Sequence, residues 1–124
     1  MNKLVSLVKR EFEVAVHNRK KSELTLFPKG EPTEREGELL NAVVELALVR
    51  AFRGKPRFPP FDEIESMYFC ANAEYSGKHP KYSAQRVVVI NPPVGPSVFN
   101  PWGKKIVASL VKALAKAKFR VEKE

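Results

Sequence analysis

Short segments at the start of the chain show the period-two alternation of apolar and polar residues that is typical of β-strands. Residues 10–17 and 23–27 follow this pattern. The polar residues 18–21 lie between them, so the pair is predicted to form a hairpin. Residues 4–8 fit either a helical turn or an extension of the first strand, and the pattern leaves both open.

Two later segments carry apolar residues at helical spacing. The first, about residues 33–53, begins with a capping box of Thr33 and Glu36 and ends before a glycine. The second begins with an asparagine and a proline at 100–101, a favourable helix start, and runs to about Lys118. Both are therefore predicted to be amphipathic helices that cover a sheet.

Three more strands complete the predicted order. Residues 65–75 alternate between two faces, and residues 86–91 contain a continuous β-branched run that favours a central strand. A short final strand at 119–121 is also predicted. The resulting order, ββαββα(β), predicts an α+β two-layer sandwich over residues 1–124 as a single domain. It is a ferredoxin-like variant with an extra N-terminal strand.

The distribution of charge is the most unusual feature of the sequence. The chain has 124 residues and a formal net charge of +8. Residues 1–75 contain 12 Lys or Arg and 12 Asp or Glu, whereas residues 76–121 contain nine Lys or Arg and no acidic residue. This asymmetry predicts a one-sided positive field, which bears on binding partners and not on the fold.

A field of this kind favours DNA or RNA as the partner, bound through phosphates with little sequence selectivity. In the predicted topology, the hairpin turn, the end of the first helix and the start of the second helix lie at one end of the sheet. Three further residues, Tyr82, Phe99 and Trp102, could stack on bases. The predicted nucleic-acid contacts are Arg19, Lys20, Lys21, Arg53, Lys55, Arg57, Lys104, Lys105, Lys112 and Lys116.

Two alternatives remain open. The proline-rich stretches at 55–60 and 91–102 resemble the exposed segments of docking surfaces, so the chain could be a structural or protein-interaction module, including a homodimer. A Mg²⁺-dependent nuclease would need converging carboxylates, for which Glu45, Asp62 and Glu74 are the candidates. The strand after Glu74 supplies no further acid, which argues against this second alternative.

Other chemistry has little support in the sequence. The single cysteine, Cys70, has no charged neighbour to activate it, and only two histidines are present. No catalytic, nucleotide-binding or metal motif occurs, so no enzyme activity, cofactor or metal is predicted. The composition, with ten prolines and one glutamine, is thermophile-like. No apolar run is long enough to span a membrane, and a cytoplasmic, reducing setting is expected.

Overall fold

The structure is a computed structural model, and it describes residues 2–30, 35–40, 42, 68–75, 86–91 and 100–124. Two helices and five strands have defined bounds within these residues. They are α1 (Asn2–Glu11), β1 (Phe12–Asn18), β2 (Glu23–Pro28), β3 (Tyr68–Glu74), β4 (Arg86–Asn91), α2 (Asn100–Lys116) and β5 (Val121–Lys123).

The N-terminal segment, for which the sequence left two possibilities, is helix α1. Its buried residues Leu4, Leu7 and Val8 are three and four apart, so one side of the helix faces the core. Its last turn carries Lys9 and Arg10, which interact favourably with the negative end of a helix dipole. Residues 35–40 are helical, as predicted. Residue 42 is helical too, and the remainder of the predicted helix, residues 33–34, 41 and 43–53, lies outside the described residues.

The five strands form one sheet in the order β3-β4-β2-β1-β5. All neighbouring strands are antiparallel except β1 and β5, which are parallel. Strand β4 is interior, as its β-branched run predicts. The molecule is therefore a mixed α+β structure, which confirms the predicted class. The ferredoxin-like order depends on residues 43–67, which lie outside the described residues.

The strand directions define two ends of the sheet. We call the end that carries the β1–β2 turn, residues 19–22, the hairpin end; β4 finishes there, because Ile90 pairs with Leu24. The other end, where α1 leads into Phe12 and where β2 finishes at Pro28, is called the distal end. Strand β5 begins towards the distal end, with Val121 paired to Ala15.

One face of the sheet packs against the helices. Residues from α1, β1, β2, β4 and α2 form a single buried apolar cluster on this face, and Phe119 and Val121 pack at its edge. The inward positions predicted for α2 are confirmed at Val107, Leu110 and Leu114, all of which are fully buried. This burial holds α2 in a fixed orientation, with its polar side facing away from the sheet.

The second face is also buried, which differs from the half-buried pattern predicted for β1. Val14, Val16 and Phe27 form a second apolar cluster there together with Val87 and Tyr75. The Tyr75 and Phe27 rings are in edge-to-face contact, with centroids 4.9 Å apart. A register shift between Phe12 and Val14 lets β1 present buried residues to both faces. This region of the second face is therefore not open for bases to stack on.

The end of α2 determines where the last strand begins. Lys118 adopts a left-handed conformation with φ 63°. Its N–H bonds the carbonyl of Ala115 at 3.0 Å, and the N–H of Phe119 bonds the carbonyl of Leu114 at 2.9 Å. These two bonds are the Schellman pattern that ends a helix. Because residues 117–120 complete this turn, β5 begins at Val121, two residues after the predicted start.

Candidate nucleic-acid interface

The β1–β2 turn presents three consecutive cations on an ordered loop. Arg19, Lys20 and Lys21 are all exposed. The Lys21 N–H donates to the Asn18 side-chain oxygen at 3.1 Å, and the Ser22 N–H donates to the Arg19 carbonyl at 3.4 Å. Ser22 has a φ of 51°, which turns the chain into β2. The loop therefore displays its three positive side chains from a backbone that is held in place.

Helix α2 carries a second set of cations along its outer side. Lys105, Lys112 and Lys116 are exposed, as is Lys104, while the opposite side of the helix is buried. At a rise of about 1.5 Å per residue, Lys105 and Lys116 are roughly 16 Å apart along the axis. At about 3.4 Å of duplex axis per phosphate on one strand, this length spans roughly five phosphates.

The topology places the two sets at the same end only in part. The end of α2 lies beside α1 at the distal end, where Lys9 bonds the carbonyl of Ala117, so Lys104 and Lys105 at the start of the helix lie farther towards the hairpin end. Lys112 and Lys116 lie towards the distal end, where α2 finishes. Three other predicted contacts, Arg53, Lys55 and Arg57, lie outside the described residues. The described cations therefore form a band along the molecule and not one compact cluster.

The hairpin end also contains two basic residues, His17 and Lys123, that are not among the predicted nucleic-acid contacts. Strand β5 pairs in parallel with β1, and His17 is the register partner of Lys123. The N–H of Glu124 donates to the His17 carbonyl at 3.1 Å, which fixes the last residues beside β1. No local pattern in the sequence could identify this pair, because the two residues are 106 positions apart.

The pKa of His17 reflects its burial and the positive charges at the hairpin end. Its pKa is lowered from the ordinary value, first by burial and then by the positive charges of Arg19 and Lys123. Within the part of the chain that the structure describes, no ion pair joins Arg19, Lys20, Lys21 or Lys123 to a carboxylate. The positive charge at this end is thus not neutralised by a described partner.

The nearest described carboxylates act on the second face of the sheet. Glu124 accepts a hydrogen bond from the Tyr75 hydroxyl, and Glu23 also acts on Tyr75 electrostatically. Burial, together with these negative charges and the hydrogen bond, raises the pKa of Tyr75 to about 12. Successive side chains of a strand point to opposite faces of the sheet. Lys123 therefore lies on the helix side, like Val121, whereas Glu122 between them points to the second face.

At the distal end, Lys9, Arg10 and Arg120 have partners, whereas the exposed Lys112 and Lys116 of α2 have none among the described residues. Arg10 forms an ion pair with Glu11 at 2.8 Å, and Arg120 forms one with Glu122 at 2.6 Å. The Lys9 Nζ donates to the carbonyl of Ala117 at the end of α2, at 3.4 Å. Arg120 belongs to the acid-free stretch of the sequence, yet it is paired. The charge of a sequence segment therefore overstates the positive charge that is free to bind.

The aromatic candidates for base stacking find no support here. The side chains of Tyr82, Phe99 and Trp102 lie outside those that the structure describes. Tyr75 is buried against Phe27 and is not available for stacking. The interface that the described residues offer is consequently one of cations.

Among the described residues, no group of three His, Cys, Asp or Glu side chains is placed to hold a metal ion, and these residues do not test the nuclease alternative. Two of its candidates, Glu45 and Asp62, lie outside them.

No helix in the described part of the chain has the length and apolar character needed to cross a bilayer. No protein-family model, curated protein or solved structure matches this chain.

Proposed function

We propose that this protein binds DNA or RNA through phosphate contacts, with little sequence selectivity. The observation that carries the proposal is the band of exposed cations on the β1–β2 turn and on α2, for which no described carboxylate partner exists. Exposed Lys and Arg side chains suit this role because each neutralised phosphate releases condensed counterions. The buried second face favours contacts with the backbone over stacking of bases on the sheet.

The experiment is a salt titration of binding to a random 20-base-pair DNA duplex, a single-stranded DNA and an RNA duplex. For the DNA duplex, the logarithm of the binding constant should fall linearly with the logarithm of salt concentration. The expected slope is about −0.9 for each phosphate contacted. A chain that binds none of the three nucleic acids at 50 mM salt would overturn the proposal.

A matched pair of triple variants locates the interface. Replacing Lys105, Lys112 and Lys116 by Ala should reduce the magnitude of the slope by up to about 2.7, because three contacts of about 0.9 are lost. The control replaces Lys9, Arg10 and Lys29 by Ala, which removes the same charge near the distal end. Equal slopes for the two variants would show that net charge alone governs binding.

We further infer a ferredoxin-like order for the fold. Strands β2 and β3 run in the same direction with β4 between them, and helical residues 35–40 follow β2. This is the arrangement of a split β-α-β unit. The extra N-terminal strand, β1, lies between β2 and β5. An experimental structure of residues 43–67 that shows no helix returning across the sheet would contradict this inference.

A protein-interaction role is the second candidate, and one observation favours it. Leu39 is 64% exposed in the helical segment 35–40 and borders a cavity of about 250 Å³ near the distal end. A single exposed leucine is ordinary on a protein surface, so the partly apolar cavity beside it is the feature that favours docking. Solution mass tests this role, since a dimer that Leu39→Asp converts to a monomer would support it. A monomer that purifies with nucleic acid would favour the first proposal.

A further inference from the structure

His17 and Lys123 lie side by side on the helix side of the sheet at the hairpin end. Strand β5 pairs in parallel with β1, which places Lys123 opposite His17. The Glu124 N–H also donates to the His17 carbonyl. Arg19 follows two residues after His17, on the ordered β1–β2 turn. Three basic side chains from two strands and a turn thus come together where the sequence alone shows only isolated residues.

Among the described residues, no acidic side chain acts on His17 to offset its positive neighbours. Its partner on β2 is the apolar Leu24, and the helix residues in the core cluster on this face are apolar. The charges that act on His17 come from Arg19 and Lys123. The carboxylates of Glu23 and Glu124 act on Tyr75 across the second face. These basic side chains would therefore attract a negatively charged ligand.

We propose that His17, Arg19 and Lys123 bind one phosphate group of the nucleic acid, and that protonation of His17 strengthens this contact. The proposal rests on the proposed function, whose binding surface it extends to two residues on β1 and β5. In the free protein, partial burial and then the neighbouring cations lower the pKa of the imidazole, which favours its neutral form. A bound phosphate reverses this balance, because a negative charge beside an imidazole favours its protonated form.

The first measurement is the affinity for the random 20-base-pair duplex at 100 mM salt, from pH 8 to pH 5. Affinity should rise as the pH falls, by up to about tenfold for each unit by which the bound phosphate raises the pKa of His17. His17→Gln should lose this increment. The control His79→Gln, which changes the only other histidine in the chain, should keep it. An equal pH dependence in wild type and His17→Gln would overturn the proposal.

A second measurement follows the two imidazoles by NMR, assigned with His79→Gln. Saturating duplex DNA should raise the pKa of His17, and Lys123→Gln should weaken binding more than the distal-end control Lys29→Gln does. If DNA binds but the His17 titration is unchanged, this inference fails and the proposed function stands. If no nucleic acid binds, pyrophosphate is the probe. A pyrophosphate-induced rise in the His17 pKa would preserve a phosphate site without nucleic acid, and no rise would overturn the site as well.

Discussion

The two ends of the sheet carry similar basic residues, but more of them are paired at the distal end than at the hairpin end. At the distal end, Arg10 and Arg120 are paired with glutamates, and Lys9 donates to a helix carbonyl. At the hairpin end, the cations of the turn and of β5 have no described carboxylate partner. Exposed ion pairs contribute little to stability, but they do cancel positive charge locally. Pairing, and not composition alone, therefore decides which individual cations can attract an anion.

The cations of α2 keep their positions only while the helix is held against the sheet. Of the predicted changes, Leu110→Ala is expected to have the largest effect, and the effect is on stability. Leu110 is fully buried in the core cluster beneath the helix. Its truncation should lower the free energy of unfolding by about 3 kcal/mol, from lost apolar contact and the cavity left behind. Urea denaturation measures this change. Ala108→Gly, at an exposed position of the same helix, should cost only about 1 kcal/mol.

Charge reversal at each end tests the comparison directly. Lys20→Glu with Lys21→Glu should weaken binding to duplex DNA at least tenfold at ~0.1 M salt, since two phosphate contacts are lost and repulsion is added. The same reversal at Lys9 and Arg10, which already have partners, should change affinity much less. Fluorescence anisotropy measures both. Comparable losses from the two pairs would remove the distinction between the ends.

Lys118→Gly should separate stability from binding at the distal end. Lys118 has a left-handed backbone at the end of α2, where glycine carries no steric penalty. The variant should be more stable by about 1 kcal/mol, and its affinity for nucleic acid should be nearly unchanged. Thermal unfolding and the salt titration report the two properties. A loss of stability would show that the side chain of Lys118 contributes more than its backbone strain costs.

The smallest effect at neutral pH is expected from Tyr75. Its pKa is raised to about 12 in the folded protein, against an ordinary value of 10, so the fold favours the neutral phenol. Its contribution to stability is complete below pH 10 and is lost as the pH rises from 10 towards 12. Tyr75→Phe should remove this part of the alkaline destabilisation. Melting temperatures across that range test it, and identical alkaline slopes would contradict it.

Local patterns predicted the elements well where side-chain period and caps agree. The β1–β2 hairpin, strand β4 and helix α2 have periodicities that neighbouring residues alone specify. Residues 4–8 were ambiguous because a short apolar segment fits both periods, and only packing of Leu4 and Val8 into the core selects the helix. The exposed cations of the turn and of α2 could be chosen from local pattern, and their role in binding stays a prediction. The pairing of His17 with Lys123 could not be predicted, because the two residues are neighbours only through strand pairing.

The sequence by itself determined which residues are positive, which face of α2 is apolar and where the hairpin turns. These properties depend on side-chain chemistry and on spacings of two to four residues. Only the tertiary structure decided which cations lie near carboxylates, that β5 pairs in parallel with β1, and that β1 and β2 bury residues on both faces of the sheet. Coulombic interactions and burial depend on distances in space, and these are set by contacts between residues far apart in the chain.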